Sequence, residues 1–227
     1  MKYAIPALPV ITLPVVGGDP FPVRRIYCVG RNYAAHAREM GHDPTREDPF
    51  FFMKPADAIV PNNTTMPYPP QTKNLHHEIE LVVALKSGGA DIPVAKANDT
   101  IFGYAVGLDM TRRDLQGQAR DKGRPWDMGK GFDHSAPCTA LHPVAKTGIV
   151  DKGAIWLKVN GKERQKGDIQ DLIWNIPETI NYLSGLVELA AGDLIYTGTP
   201  EGVAAVVKGD VLEGCVEGVD TLKITIG

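Results

Sequence analysis

The feature that most constrains the fold is a ten-residue segment in which two acidic side chains precede an uninterrupted apolar run. Residues 76–85 read HHEIELVVAL. Because side chains alternate between the faces of a strand, a strand here places Glu78 and Glu80 on one face, and Val82 and Ala84 continue that face. Beyond residue 80 both faces are apolar, which predicts a strand buried on two sides with its acids at the rim of the buried region.

A third acid ends a second segment of strand-like sequence. Residues 101–109 read IFGYAVGLD, in which Gly103, Ala105, Gly107 and Asp109 alternate with larger apolar residues. One face is therefore almost bare, which permits close approach of a neighbouring strand or a ligand. An alternative interpretation makes the acids of the first segment solvated edge charges and Asp109 the cap of a following helix.

Clustered carboxylates at the rim of a buried region would repel one another and be poorly solvated, and a divalent cation resolves this by supplying the opposite charge. Glu78, Glu80 and Asp109 offer oxygen ligands without a thiolate. Such a set favours Mg²⁺ or Mn²⁺ over zinc.

Composition excludes several functional classes. The 227 residues are 43% hydrophobic and 22% charged, which fits one folded domain with at most a small appendage. A net charge of -3 gives no reason to expect a nucleic-acid partner or binding to an anionic membrane. The three cysteines lie far apart without a C-x-x-C motif, so neither a disulfide framework nor a zinc ribbon is expected, and a cytoplasmic location is predicted.

The first sixteen residues are apolar, but Pro6, Pro9 and Pro14 would interrupt the helical core of a signal peptide. Residues 1–22 are instead predicted to form an extended or hairpin-like appendage. No segment approaches the roughly 18 apolar residues that a membrane helix needs.

The remaining patterns predict a β-dominated α+β fold with few helices. A helix is predicted over residues 176–189, with Pro177 in its first turn, and Asn160-Gly161 predicts a type I′ hairpin. A short helix is predicted after Asn32, ending at Gly41, followed by a polar loop. The predicted strands cover residues 24–29, 50–54, 78–85, 101–110, 154–159, 193–197 and 221–226.

His36 and Glu39 on the short helix are three residues apart and can meet on one face. A glutamate that accepts from one ring nitrogen leaves the other nitrogen free to act as a base, although such pairs also occur on ordinary surface helices. The neighbouring loop makes this segment a candidate lid. Further candidates to bind an anionic substrate, for which surface solvation is the competing interpretation, are Lys54, Arg113, Gln116 and Lys130.

Several motifs together resemble those of the fumarylacetoacetate hydrolase family, and the resemblance runs from about residue 23 to the last residue. The motifs are Cys28-Val29-Gly30-Arg31-Asn32-Tyr33, His36-x-x-Glu39, Phe52-Met53-Lys54-Pro55, His77-Glu78-Ile79-Glu80-Leu81, Gly107-Leu108-Asp109-Met110-Thr111 and Gly198-Thr199-Pro200. Within the family, the chain is most similar to the short bacterial fumarylpyruvate and acylpyruvate hydrolases.

The resemblance implies a mixed β-roll with a short lid helix, a catalytic domain over residues 23–227 and, usually, a homodimer. It places Mg²⁺ or Mn²⁺ on Glu78, Glu80 and Asp109. It assigns the activation of water to His36 and Glu39 and the support of an oxyanion to Lys130. The residues that it places around the substrate are Arg31, Lys54, Arg113, Gln116 and Thr199.

The implied reaction is hydrolysis of a carbon–carbon bond in a 2,4-dioxo acid, an acylpyruvate, with fumarylpyruvate as the expected substrate. Arg31, Arg38 and Arg113 are candidates to bind its second carboxylate, and Arg31 is favoured because it adjoins the lid. Two alternatives stay open. The same metal site could serve oxaloacetate decarboxylation or tautomerisation, or the protein could bind dicarboxylates without catalysis.

Overall fold

The computed structural model describes residues 3–34 and 47–227. The strands in this part of the chain are β1 (Thr12–Val15), β2 (Gly18–Pro22), β3 (Ile26–Gly30), β4 (Phe50–Lys54), β5 (Ile59–Pro61), β6 (Thr64–Met66), β7 (Leu75–His76), β8 (Ile79–Leu85), β9 (Ile101–Leu108), β10 (Thr111–Arg112), β11 (Ala136–Cys138), β12 (His142–Pro143), β13 (Ala154–Val159), β14 (Lys162–Asp168), β15 (Leu194–Tyr196), β16 (Ala205–Val206), β17 (Val211–Val216) and β18 (Asp220–Ile226). The helices are α1 (Val94–Ala97), α2 (Arg113–Asp121), α3 (Asp127–Lys130), α4 (Val144–Thr147) and α5 (Ile176–Leu186), with 3-10 turns at Ala56–Ala58, Asn98–Thr100 and Ile169–Asp171.

A large mixed sheet forms the centre of the molecule. Its strand order is β4-β3-β15-β8-β9-β11-β5, with β12 also paired to β9. The β15–β3 and β11–β5 pairs are parallel, whereas β8 pairs antiparallel with both β9 and β15. A second sheet has the order β14-β13-β17-β18-β6. The expectation of a β-dominated mixed fold with few helices is confirmed, while the predicted lid helix falls largely on residues 35–46, outside the described residues.

Both faces of the central strands are buried, as their sequence predicts. Every residue of β8 is buried. Leu81 and Val83 pack in one hydrophobic cluster, and Val82 and Ala84 pack in another on the opposite face. Glu80 therefore shares the face that carries the smaller residues.

The bare face of β9 allows a close approach across the sheet. A Cβ atom on Gly107 would lie 2.6 Å from the Tyr196 ring and 2.6 Å from the Val82 side chain. Tyr196 lies on β15, which β8 separates from β9, so its ring passes over β8 and reaches Gly107. A larger residue at this position would displace the packing beside Glu80, which pairs with Gly107 in the ladder.

The helix predicted over residues 176–189 begins where expected and ends before residue 189. Asn175 caps α5 in a reciprocal capping box with Glu178, and a proline lies in the first turn. The helix ends at Leu186 and not at Leu189, because Val187 is extended and Leu189 pairs with Gly89 in a β-bridge. The Asn160-Gly161 turn is confirmed, since both residues have positive φ between β13 and β14.

The N-terminal hairpin packs onto the central sheet. β1 and β2 pair antiparallel, and Leu13 and Phe21 are buried in the second hydrophobic cluster. The main chain of Val16 donates to the carbonyl of Leu141. The hairpin-like prediction is confirmed for residues 12–22, and the division of the chain into two parts at residue 22 stays a prediction.

We expect Gly107→Ala to lower the free energy of unfolding by about 1 to 3 kcal/mol, because the added methyl group overpacks the site between Tyr196 and Val82. Gly117→Ala in α2 is the matched control, since no atom lies within 4 Å of its added Cβ. It should be neutral or stabilising by up to about 1 kcal/mol through helix propensity. Urea denaturation of both variants measures the difference, and equal stability of the two would contradict the packing argument.

Candidate metal centre and active site

The carboxylates meet because several strands of the central sheet end at the same edge. Ile79, the first residue of β8, pairs with Leu108, the last residue of β9. The main chain of Asp109 then donates to the carbonyl of Glu78 at 2.9 Å. The ends of β15 and β3 lie at this edge as well, because Tyr196 pairs with both Val82 of β8 and Cys28 of β3.

Glu78, Glu80 and Asp109 are all buried, at 5%, 1% and 1% exposure. One carboxylate oxygen from each lies within 4.8 Å of the others. The alternative in which the glutamates are solvated edge charges is therefore wrong. Asp109 is also not a helix cap, since α2 begins at Arg113 with Arg112 at its N-cap.

Three cations of the chain surround these acids. Lys130 Nζ donates to Glu78 Oε2 at 2.8 Å and to Asp109 Oδ2 at 2.7 Å. Lys54 Nζ lies 2.8 Å from Asp109 Oδ1, and Arg113 Nη2 donates to Glu78 Oε1. The repulsion among the acids is thus offset in part by side chains from three other places in the sequence.

The acids retain the capacity to bind a cation. Asp109 Oδ1 is buried and, among the described residues, accepts no hydrogen bond of good geometry despite its ion pair with Lys54. Two oxygens on one ion at 2.0 to 2.6 Å can be up to about 5 Å apart, which the spacing of the three carboxylates satisfies. An all-oxygen set with room for further ligands suits Mg²⁺ or Mn²⁺.

The surroundings of Glu80 disfavour the ionised form of its carboxyl group. Burial raises the pKa of Glu80 well above its usual range, and the carboxylates of Asp109 and Glu78 raise it further, while the Gly198 N–H opposes the shift. Burial alone would lower the pKa of Lys130, but the carboxylates of Asp109 and Glu78 outweigh it and raise the pKa. Lys130 therefore keeps its positive charge beside the acids, and a divalent cation would reduce their mutual repulsion further.

The loop after β15 holds Glu80 in place. Gly198 N donates to Glu80 Oε2 at 2.8 Å. Gly198 has φ +103°, and a Cβ there would lie 2.7 Å from Asn32 Cβ, so the position favours glycine twice over. Asn32 fixes the loop by donating to the carbonyl of Thr197 at 2.8 Å.

Gln165, which the sequence does not single out, joins this loop to the segment that carries Glu78 and Glu80. Its Oε1 lies 2.8 Å from His77 Nδ1 and accepts from Ile79 N at 3.1 Å. Its Nε2 donates to Thr199 Oγ1 and to the carbonyl of Pro200, both at 2.8 Å. Gln165 uses its whole amide to position other groups. It is the one buried residue of the polar strand β14, which gives no sequence signal of this role.

A pocket opens beside the carboxylates. Its residues come from the ends of β3 and β4, from α2 and α3 and from the loop after β15: Val29, Gly30, Arg31, Phe50, Phe52, Glu78, Glu80, Arg113, Gln116, Arg120, Trp126, Lys130 and Thr199. Phe50 and Trp126 meet edge to face with ring centroids 5.0 Å apart. The pocket thus has a charged inner end and an aromatic wall.

Most of the sequence-predicted substrate residues border this pocket in the structure. Arg113 Nη1 donates to Gln116 Oε1 at 2.6 Å, which leaves the Gln116 amide nitrogen as a donor toward the pocket. Thr199 accepts from Gln165, so its own hydroxyl hydrogen also stays available. Lys54 differs, because it is buried away from the pocket lining and donates to the carbonyls of Met110 and Lys130.

The proposed water-activating residues His36 and Glu39 lie outside the described residues. Neither histidine beside Glu78 has a geometry that adds a ligand. Burial, and then the charge of Arg113, lowers the pKa of His76 to about 4, and its Nε2 lies 2.9 Å from Asn74 Oδ1. His77 is held by Gln165.

Comparisons with known proteins identify relatives of this chain. Residues 25–227 match the family described as fumarylacetoacetate (FAA) hydrolase C-terminal. The chain is 48% identical over 185 residues to the fumarylpyruvate hydrolase of Ralstonia sp, covering 82% of this chain and 96% of that protein. It is 42% identical over 203 residues to the mitochondrial oxaloacetate tautomerase of Rattus norvegicus, covering 89% and 91%.

The fold matches the crystal structure of fumarylpyruvate hydrolase from Pseudomonas aeruginosa in complex with Mn²⁺ and pyruvate. The TM-score is 0.97 at 52% sequence identity, and the match covers 99% of both chains. The chain belongs to the fumarylacetoacetate hydrolase family, as its motifs predict. In the described residues, no helix combines the length and apolarity required to cross a membrane.

We expect Glu80→Gln to abolish most Mn²⁺ affinity and to raise the melting temperature of the metal-free protein by roughly 2 to 6 °C. An acid whose pKa is raised by folding destabilises the folded state at every pH above its unfolded pKa, and glutamine keeps the acceptor for Gly198 N without the charge. The stability difference should shrink as the pH falls toward about 4.3, the pKa of a free glutamate.

Calorimetric titration with Mn²⁺ and thermal melts between pH 4 and 8 measure both effects. Glu213→Gln is the matched control, because its carboxylate forms a surface pair with Lys223 at 3.3 Å on the second sheet. It should change neither quantity appreciably. Retained Mn²⁺ affinity in Glu80→Gln would show that the metal binds elsewhere in the protein.

Proposed function

We propose that this protein is a Mg²⁺- or Mn²⁺-dependent hydrolase of acylpyruvates, and that it converts fumarylpyruvate and water to fumarate and pyruvate. The observation that carries the proposal is the buried cluster of Glu78, Glu80 and Asp109 beside a pocket that the two glutamates line. Relatives 48% and 52% identical over most of their length are fumarylpyruvate hydrolases, and one of them was crystallised with Mn²⁺ and pyruvate.

A bound Mg²⁺ or Mn²⁺ ion would stabilise the 2-oxo carboxylate of the substrate and the negative charge that develops on the departing pyruvate. The side chains of the protein orient the substrate beside it. Arg113 and Gln116 form a hydrogen-bonded unit at the pocket wall, and Thr199 faces them from the loop after β15. This unit is preorganised, so it need not rearrange when substrate enters.

The attacking water would be activated by His36, which takes its proton while Glu39 holds the other ring nitrogen. The water oxygen bonds to the carbonyl carbon at position 4 and the electron pair moves to the carbonyl oxygen. Lys130 has three N–H groups, two of which go to Glu78 and Asp109, so the third can stabilise that oxyanion. Collapse breaks the bond between carbons 3 and 4 to release fumarate, and carbon 3 takes up a proton to give pyruvate.

Oxaloacetate tautomerisation is the second candidate, because relatives 42% identical carry that activity. Both reactions use a 2-oxo carboxylate, and only hydrolysis requires an activated water and a pocket for a departing acid. The aromatic wall of Phe50, Phe52 and Trp126 favours the longer substrate, since oxaloacetate has no chain to place against it.

We also propose a homodimer in the cytoplasm. Tyr3, Ile5, Leu8 and Val10 are exposed apolar side chains at the start of the described chain, and a second copy would cover them. The three cysteines are free thiols, which suits a reducing compartment.

Purified protein with Mn²⁺ should release pyruvate from fumarylpyruvate and acetylpyruvate, with at most slow conversion of oxaloacetate. Coupled lactate dehydrogenase measures pyruvate, and the loss of the oxaloacetate enol absorbance measures tautomerisation. Chelator-treated protein is the control and should be inactive until Mn²⁺ is restored. Fast oxaloacetate tautomerisation with no acylpyruvate cleavage would replace the proposal with its alternative.

His36→Ala and Glu39→Gln should each lower kcat on fumarylpyruvate by about 10² to 10⁴, because both remove the activation of water. Their Mn²⁺ affinity, measured by calorimetry, should equal that of the unmutated protein, since neither is one of the three acids. Full hydrolase activity in either variant would refute the assignment of this pair.

A further inference from the structure

We propose that Arg120, together with Arg31, binds the distal carboxylate of the substrate and selects acylpyruvates whose acyl chain ends in an acid. This rests on the proposed function and adds a specificity residue to it. Both residues line the pocket that Glu78 and Glu80 also line.

Helix α2 places Arg120 on the same side as the other pocket residues of that helix. Arg113, Gln116 and Arg120 are spaced i, i+3 and i+7, so they follow one face of the helix. Arg120 is the outermost of them, with its side chain 46% exposed. Its Nε donates to Asp121 Oδ1 at 3.1 Å, and in residues 3–34 and 47–227 no acceptor engages its two terminal amino groups.

Arg31 reaches the pocket from the end of β3. It follows β3 with φ +57°, and its guanidinium carbon lies 5.4 Å from the centroid of the Phe50 ring. Burial lowers the pKa of Arg31, Glu47 opposes that shift, and the charge of Arg120 adds to it, so the two arginines repel each other. A carboxylate between two such groups would relieve the repulsion and accept paired hydrogen bonds.

The aromatic side chains of β4 lie between the inner end of the pocket and Arg31, over a distance that matches the length of the substrate. Phe50, Phe52 and Lys54 alternate along β4 and share one face. Lys54 pairs with Asp109 behind the inner end of the pocket, and Lys130 Nζ, which lies at that end, is 4.8 Å from the Phe52 centroid. The step from Phe52 to Phe50, where Arg31 lies, is 6.3 Å between ring centroids.

Fumarylpyruvate has five bonds between its 2-oxo carbon and its distal carboxylate carbon. An extended chain of five bonds spans about 6 Å, comparable to the separation of the two rings. The planar unsaturated segment would lie against the aromatic wall, with its acid between Arg31 and Arg120. Acetylpyruvate ends in a methyl group and reaches neither arginine.

The two other arginines that the sequence suggests for this role have different outcomes. Arg113 is already engaged by Glu78 and by Gln116 at the inner end of the pocket. Arg38 lies outside the described residues. Arg120 was missed in the sequence because a polar helix face gives no apolar period, although its spacing from Arg113 and Gln116 is visible there.

The test compares Arg120→Met with Arg124→Met in the Mn²⁺-loaded protein, using fumarylpyruvate and acetylpyruvate. Both variants lose one positive charge within four residues of each other, but Arg124 does not line the pocket. Arg120→Met should lower kcat/KM for fumarylpyruvate about tenfold, mainly through KM, and that for acetylpyruvate less than twofold. Arg124→Met should change neither, and Arg120→Lys should recover part of the loss.

Fumarate binding measured by calorimetry gives a second readout that is independent of turnover. It should weaken about tenfold in Arg120→Met and not in Arg124→Met. Equal losses on both substrates, or no loss on either, would overturn the role of Arg120. If the unmutated protein cleaves neither acylpyruvate but fumarate binding still depends on Arg120, the hydrolase proposal fails and the anion site stands.

Discussion

The burial of three carboxylates at one edge of the central sheet is the constraint on which the rest of the site depends. Glu78, Glu80 and Asp109 are held there by the pairing of β8 with β9, whose buried faces give those strands no freedom to shift. Because close acids at such low exposure repel one another, the fold must bring cations to them. Three residues supply these cations: Lys54 of β4, Lys130 of α3 and Arg113 of α2. The same three elements form walls of the pocket.

The acids could be predicted from the sequence because the signal for each is local. Strand periodicity and apolar flanks place Glu78 and Glu80 at a buried rim, and the bare face of β9 leads to Asp109. The supporting partners could not be predicted in the same way. Gln165 bonds to His77 from 88 positions away, and Lys54 reaches Asp109 through a tertiary contact that no spacing rule encodes.

Helix α2 shows why the secondary structure of a site is harder to predict than that of a core. A helix is normally detected by apolar residues recurring on the face that it buries. The face that α2 turns to the pocket carries Arg113, Gln116 and Arg120, so the functional face of this helix is polar. Helix α5 has the opposite character, since Ile176, Ile180 and Leu183 bury an apolar face and the periodic signal succeeds.

Charge balance links the metal site to the form of the substrate. With all groups ionised, the three acids are matched by Lys54, Lys130 and Arg113, so the inner end of the pocket is neutral before a metal binds. A divalent ion adds two positive charges at that end, and the carboxylate of the pyruvyl group offsets one of them. A second carboxylate at the far end of the substrate would lie beside Arg31 and Arg120, and a substrate with one carboxylate leaves that position empty. The field of the pocket therefore favours a diacid, because each added charge lies where the fold has already placed its opposite.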